Sequence, residues 1–315
     1  MKQIIRIGTR ESQLAVWQAT LVQNLLKEKG FESELVFIKS EGDIDTITPL
    51  YELGVQGIFT KTLDAALLNK RIDIAVHSMK DVPTQLASGI KLAAVLKRAS
   101  YKDVLIFKGE RKRIEEHLSG IKISDNSLFT VATSSIRRKA QWLNRYPSDK
   151  IENLRGNVNT RLRKIDENVW DGAIFAAAGV ERINLRPGNS IDLDWMLPAP
   201  AQGAIAIACR DEDNFSFHAC QLLNDEPTAI CTKTERDFLR TLSGGCSTPI
   251  SALAVFKDNK IVFRGNLCST DGKQKLDVEK QVSLENSDQL GITAGKEILE
   301  NEQARKIISE IKNGK

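Results

Sequence analysis

The feature that most constrains this chain is an alternation. Through its first two thirds, short apolar runs rich in β-branched residues take turns with segments of helical period. Residues 4–7, 34–38, 72–76, 92–96, 104–107, 129–132, 151–154 and 173–176 read as strands. Between them, 13–29, 60–68, 137–145 and 160–168 read as helices, the first carrying Leu14, Val16, Trp17, Leu21 and Leu25 on its apolar positions. Strands of this kind separated by helices predict an α/β fold with parallel sheets covered on both faces. The last third has a different rhythm. A helix over 228–242 leads into the turn Ser243-Gly244-Gly245-Cys246, followed by strand-like runs at 252–256, 261–267 and 276–282. Turns at Asp258-Asn259 and Asp271-Gly272 separate the strands, and a final helix is predicted over about 288–311. That is a smaller α+β module. At 315 residues the chain holds about two domains by length, with room for a third.

Charge and cysteine content narrow the class. The 45 Lys and Arg against 41 Asp and Glu give +4, far short of the excess a polybasic nucleic-acid binder carries. Arg6, Arg10 and Glu11 interrupt any apolar signal core near the start, and runs such as 173–180 and 204–209 are too short to cross a bilayer. The expectation is a cytoplasmic protein without a membrane segment. Five cysteines (Cys209, Cys220, Cys231, Cys246, Cys268) form no C-x-x-C pair, and His77, His117 and His218 are the only histidines. No metal site is expected from this set.

The chemistry concentrates at the strand-to-helix junctions. Ile7-Gly8-Thr9-Arg10, Thr133-Ser134-Ser135-Ile136-Arg137-Arg138 and Arg155-Gly156-Asn157-Val158-Asn159-Thr160-Arg161 share one character. Each offers Gly, Ser, Thr or Asn as a helix cap, and each places arginine in or beside the first turn. A cation there opposes the helix dipole at a cost of about 0.3–1 kcal/mol. An anionic ligand reverses that sign, because exposed N–H groups and a guanidinium together bind carboxylate or phosphate. In open α/β sheets such junctions lie at the carboxyl ends of strands, where ligands bind. The alternative is that these arginines reach solvent or pair with acids such as Glu11 and Asp166. Three similar junctions together point to a cleft for a polyanion.

A fourth junction, Ile72-Asp73-Ile74-Ala75-Val76-His77-Ser78-Met79-Lys80-Asp81-Val82-Pro83, delivers Ser78, Lys80 and Asp81 to the same edge. Lys80 and Asp81 form either a surface ion pair or, for Asp81, a carboxylate that handles a proton or steadies a developing cation. His77 reads as a hydrogen-bonded structural group. Cys246, between two glycines and Pro249, sits in a loop with little side-chain cover. Lys233, Arg236 and Arg240 are available to stabilise its thiolate. The other four cysteines read as buried.

The segments 73–83, 133–138, 154–162, 200–207 (PAQGAIAI) and 243–250 (SGGCSTPI), in this order and with IRIGTRESQLAVWQA at 5–19, resemble the porphobilinogen deaminase (hydroxymethylbilane synthase) family over nearly the whole chain. The resemblance implies two lobes like those of periplasmic solute-binding proteins plus an α+β C-terminal domain. These are residues 1–98 with 200–219, residues 99–199, and residues 220–315. It implies head-to-tail condensation of four porphobilinogen molecules, with loss of ammonia, into linear hydroxymethylbilane, as part of tetrapyrrole and heme biosynthesis. The chain would grow on a dipyrromethane cofactor held by a thioether to Cys246. Asp81 matches the catalytic aspartate, implied to steady the azafulvenium cation and assist proton transfer. Arg10, Arg137, Arg138, Arg155 and Arg161 match carboxylate-binding positions, with Ser78, Lys80, Ser134 and Ser135 in the same cleft and Phe59 and Gln202 also lining it. A small-molecule substrate is implied; a monomer is the default expectation, since no coiled-coil pattern or apolar surface stripe argues otherwise. Four positions depart from the family's usual residues: Gln56 for lysine, Ile47 for an acid, Asn159 for glycine, and Ala201 for glycine or valine.

Two other classes are weighed against this. A non-catalytic polyanion-binding double lobe explains the arginines but not Cys246 or the third module. A nucleic-acid binder lacks the net charge and any RNP, helix-turn-helix or aromatic stacking pattern.

Overall fold

In the computed structural model, residues 3–39, 60–120, 128–245 and 248–312 are described. Along the chain come β1 (Ile5–Thr9), α1 (Gln13–Glu28), β2 (Ser33–Phe37), α2 (Lys61–Leu68), β3 (Ile74–Ser78), β4 (Ile90–Val95), β5 (Asp103–Phe107) and α3 (Arg111–Leu118). Next are β6 (Thr130–Ala132), α4 (Ile136–Arg145), β7 (Lys150–Glu152), α5 (Val158–Glu167), β8 (Gly172–Ala176), α6 (Ala177–Glu181) and β9 (Ser190–Asp192). The chain then forms β10 (Ile205–Arg210), α7 (Asn214–Gln221), α8 (Glu226–Thr241), β11 (Ile250–Lys257), β12 (Lys260–Cys268), β13 (Lys275–Ser283), α9 (Leu290–Glu300) and α10 (Glu302–Lys312).

These elements build two five-stranded sheets and one three-stranded sheet. The first has order β2-β1-β3-β10-β4 and the second β7-β6-β8-β5-β9. Each contains a parallel trio flanked by an antiparallel strand, so the sheets are mixed where the sequence pattern predicts parallel ones. The reason is visible in the connections. β5 enters the second sheet straight after the chain leaves β4 of the first, and β10 enters the first straight after the chain leaves β9 of the second. All residues of both strands are buried. A continuous apolar run reports burial on two faces and carries no information about direction.

Apolar side chains from both faces of each sheet form separate cores. In the first lobe, Ile5, Ile7, Val22 and Leu26 pack with Ile205 and Ile207 on one side, and Leu63, Leu67 and Ile72 pack on the other. In the second, Leu105, Phe107, Trp142 and Ile174 face one way and Val104, Leu154, Ile165 and Phe175 the other. A smaller cluster of Met79, Val82, Val95, Ala201 and Ala204 lies where the chain crosses between lobes.

The third unit is the antiparallel meander β11-β12-β13 with helices α8 and α9 packed on it. Where one final helix is expected over 288–311, the structure has two. Asn301 leaves helical geometry (φ −74°, ψ 127°), and its side chain accepts from the Gln303 N–H to start α10. Arg305 closes the end of α9 by donating to the Leu299 and Glu300 carbonyls. Helices α3, α6 and α7 and strands β9 and β10 have no counterpart in the sequence reading. Short elements such as α3, with Ile114 as its one buried residue, offer too few apolar positions for a period to register.

The third unit is tied to both crossings. Arg98, between β4 and β5, donates to both carboxylate oxygens of Glu235 on α8 at 2.5 and 3.1 Å. Glu235 is fully buried and also accepts from the Ala201 and Ala254 N–H groups.

Candidate active site

A cavity of about 680 Å³ opens between the two lobes at the carboxyl ends of β1, β3, β6 and β8. Arg10, Ser78, Lys80, Asp81, Ser134, Ser135, Arg137, Arg138, Arg155, Arg161 and Gln202 all line it. Eleven of the thirteen positions singled out from sequence thus meet in one place, although they come from five separate segments. Phe59, Gln56 and Ile47 lie outside the described residues, and so does Cys246.

Each junction is shaped by local rules. Ser135 caps α4, its hydroxyl accepting from the Arg138 N–H at 3.5 Å, which fixes Arg137 and Arg138 in a first turn that contains no acid. Asn157 caps α5 through the Thr160 N–H at 3.0 Å. Gly156 bends the chain before it at φ +111°, where a Cβ would lie 2.6 Å from Thr160 Cγ2. Its carbonyl accepts from Arg161 Nε at 2.7 Å, drawing that side chain back over the helix start. The Ser134 hydroxyl bonds the Leu154 carbonyl, joining the β6 junction to the segment that carries Arg155. Across the cleft, Ser78 bonds Gln18 of α1 at 2.9 Å, and a single 3-10 turn, Met79–Asp81, presents Lys80 and Asp81.

One participant has no signal in the sequence patterns. Asp103, the first residue of β5, is fully buried, 2.7 Å from both Arg137 Nη2 and Arg138 Nη2. The acid that answers these arginines is therefore Asp103, and neither Glu11 nor Asp166. Burial alone would raise its pKa, but Arg137 and Arg138 overcome that and hold it at about 2. Arg137 and Arg138 are thus largely committed inside the protein. Gln202, 1% exposed, donates to Asp103 at 2.9 Å and to the Tyr101 carbonyl, and accepts from Lys80 Nζ at 3.3 Å. Gln202 links the ion cluster of one lobe to the Lys80–Asp81 turn of the other.

The electrostatics favour anions. Burial pushes Lys80 down to about 8, with Arg138 and Arg137 adding to the shift and Asp81 and Asp103 opposing it. Arg161 is lowered to about 10 by burial, then by Arg138 and Arg155, against the pull of Asp81 across the cleft. Buried cations crowded closely enough to depress one another favour an anionic partner. His77 is lowered to about 4 by burial and by Arg10, so it is neutral near pH 7 and adds no charge.

Beside this cleft lies a pocket of about 70 Å³ that shares Lys80, Ser135 and Arg137 with it. Gly244, Gly245 and Thr248, immediately flanking the Cys246 position, line it with Arg236. Of the basic side chains expected near that cysteine, Lys233 and Arg240 both bind Asp237 at 2.9 Å. The four described cysteines are buried, and burial raises Cys209 and Cys231 to about 11 and Cys268 to about 12. Among the described residues there is no group of three or more His, Cys, Asp or Glu able to hold a metal ion, and no helix long and apolar enough to cross a membrane.

Two α/β lobes closing on an arginine-lined cleft with one carboxylate turn define an organic-polyanion site. Comparison with known proteins gives that class its family. The porphobilinogen deaminase dipyromethane cofactor binding domain matches residues 5–217, and the porphobilinogen deaminase C-terminal domain matches 229–300. The chain belongs to the porphobilinogen deaminase family. It is 41% identical to the chloroplastic porphobilinogen deaminase of Pisum sativum, over 94% of this chain and 81% of that one. Identity is 40% to the probable porphobilinogen deaminase of Methanocaldococcus jannaschii (89% and 97% covered) and 37% to porphobilinogen deaminase of Chlorobium phaeobacteroides (99% and 99%). Among solved structures, the periplasmic VFT2 domain of Bordetella pertussis BvgS overlaps at a TM-score of 0.42 with 15% identity, covering 70% of this chain and 86% of that one.

Proposed function

We propose that this chain is a hydroxymethylbilane synthase, condensing four porphobilinogen molecules with release of four ammonia molecules and carrying a dipyrromethane through Cys246. The observation that carries the reading is that Asp81 lines one cleft together with Arg10, Lys80, Arg155 and Arg161. The donor set suits the group. Each pyrrole of a dipyrromethane carries two carboxylates, and guanidinium and ammonium groups supply charge-assisted bonds of about 1.5–3 kcal/mol each. A cavity of about 680 Å³ lies within the range of ligand sites, on the order of 300–1,000 Å³. The pocket bordered by Gly245 and Thr248 shares Lys80, Ser135 and Arg137 with the cleft.

When bound, the dipyrromethane supplies the pyrrole terminus from which the product is extended. The rest is done by side chains. Arg10, Arg155, Arg161 and Lys80 hold substrate carboxylates and fix ring orientation. Asp81 accepts pyrrole N–H groups, offsets positive charge as ammonia leaves porphobilinogen, and takes up the proton released as the new carbon–carbon bond forms. Arg137 and Arg138, braced on Asp103, keep the opposite wall positive. On this reading the chain works as three units, 1–98 with 200–219, 99–199 and 220–315. It acts as a cytoplasmic monomer on a small molecule, without nucleic acid, membrane or metal.

Intact mass spectrometry of protein expressed with porphobilinogen available tests the reading. An increment of two pyrrole units over the sequence mass is expected, lost in Cys246→Ala and kept in Asp81→Asn, whose ammonia release falls by at least about 100-fold. An unmodified mass for the wild-type protein would overturn the reading. So would an adduct that survives Cys246→Ala, for the anchor.

A further inference from the structure

The Asp81 turn is held from outside its own lobe. At its start, the Met79 N–H donates to the Ala204 carbonyl at 3.0 Å. At its end, one guanidinium receives the backbone: Arg236 Nη1 donates to the Val82 carbonyl at 2.7 Å and Nη2 to the Pro83 carbonyl at 2.6 Å, with the Met79 carbonyl 3.5 Å from Nη1. Arg236 lies on α8 of the third unit. The C-terminal end of the same helix runs through Leu239 into Gly244 and Gly245, and these residues line one small pocket with Lys80, Val82, Pro83 and Arg236 itself. A rigid helix therefore spans from the backbone next to Asp81 to the loop bearing Cys246. The two carbonyls are adjacent in sequence and point to two separate guanidinium nitrogens, a fork that a planar arginine satisfies and a single ammonium does not. Pro83 fixes its own φ, so the segment leaving Asp81 has little freedom to adjust if that fork is lost.

We infer that Arg236 is a positioning residue that sets the Asp81 turn in register with the Cys246 loop. The inference deepens the proposed function and rests on Asp81 acting in the reaction. It gives the third unit a task beyond carrying the cysteine: the helix that presents the loop also holds the carboxylate in place. It also gives Arg236 a task of its own, since its guanidinium donates to the Val82 and Pro83 carbonyls.

The test measures kcat, KM and adduct mass for Arg236→Gln, Arg236→Lys, Asp81→Asn and the double variant Asp81→Asn/Arg236→Gln. Arg236→Gln is expected to keep the two-pyrrole adduct and a KM within about two-fold of wild type while kcat falls roughly 10- to 100-fold, the scale of a misplaced catalytic group. Arg236→Lys should recover part of the loss and remain about 3- to 10-fold below wild type, since one ammonium holds one carbonyl at a time. In the Asp81→Asn background, adding Arg236→Gln should change kcat by less than about two-fold, because the residue it positions is already disabled. Additive losses, a raised KM with unchanged kcat, or a wild-type rate in Arg236→Lys would each overturn the inference. Should Arg236→Gln not accumulate as folded protein, the lysine variant carries the comparison alone. Near-normal turnover in Asp81→Asn instead overturns the assignment of Asp81, so the two failures are separable.

Discussion

A single buried carboxylate governs how the arginines are shared between fold and ligand. Asp103 engages Arg137 and Arg138 from β5, and these two line the cavity together with Arg10, Lys80, Arg155 and Arg161. Because its pKa is held at about 2 in the folded protein against 3.8 ordinarily, its contribution is full above about pH 4. That contribution is lost as pH falls through about 2, where the folded state too takes up the proton. Asp103→Asn should lose this acid-dependent component and leave two buried guanidiniums without a counter-charge. A loss of about 3–5 kcal/mol is expected in urea unfolding at pH 7. An asparagine variant as stable as wild type would mean that both arginines find solvent, contrary to their 5% and 6% exposure.

At the level of elements, the junctions before α4 and α5 do the work of aiming charge. The second depends on Gly156, which holds φ +111° and gives its carbonyl to Arg161. A side chain there meets both the strained backbone region and Thr160, at a cost of about 1–3 kcal/mol. Gly156→Ala is therefore expected to shift Arg155 and Arg161 together and to raise KM about ten-fold, while circular dichroism stays unchanged. An unaltered KM would show that the arginine positions do not depend on this turn.

For the whole molecule, the two lobes touch outside the catalytic groups. Asn159 of α5 donates to the Gln13 side chain of α1 at 2.9 Å, and the Arg182 guanidinium of the second lobe lies 5.6 Å from the Trp17 ring centroid of the first. Both contacts join the two sides of the cleft. The Asn159 side chain supplies a bond between the lobes that a smaller residue there would lack. An exposed bond of this kind contributes about 0.5–1.5 kcal/mol. Asn159→Ala should thus shift the equilibrium between open and closed lobes, with KM rising by about two- to ten-fold and kcat unchanged. Small-angle scattering should show a larger radius of gyration without substrate. No change in either quantity would remove these lobe contacts from the closing mechanism.

What the sequence determined by itself was local and chemical. Strand and helix periods, caps at Ser135 and Asn157, and arginines set against helix dipoles are written in neighbouring residues, so the α/β class and the gathering of the arginine junctions at one cavity were legible in the sequence. The linear motifs carried Asp81 and Cys246 in the same way. Only the tertiary structure decided what depends on distant partners. It ran β5 antiparallel to its neighbours, because an apolar strand buried on both faces reads the same either way, and it made the apolar run at 205–210 the antiparallel strand β10. It broke the last helix at Asn301. It paired Arg137 and Arg138 with Asp103, and it brought Arg236 to the carbonyls beyond Asp81, 154 and 153 residues away in the chain. Such contacts join side chains whose own sequence neighbourhoods give no hint of each other, and folding alone brings them within hydrogen-bonding reach.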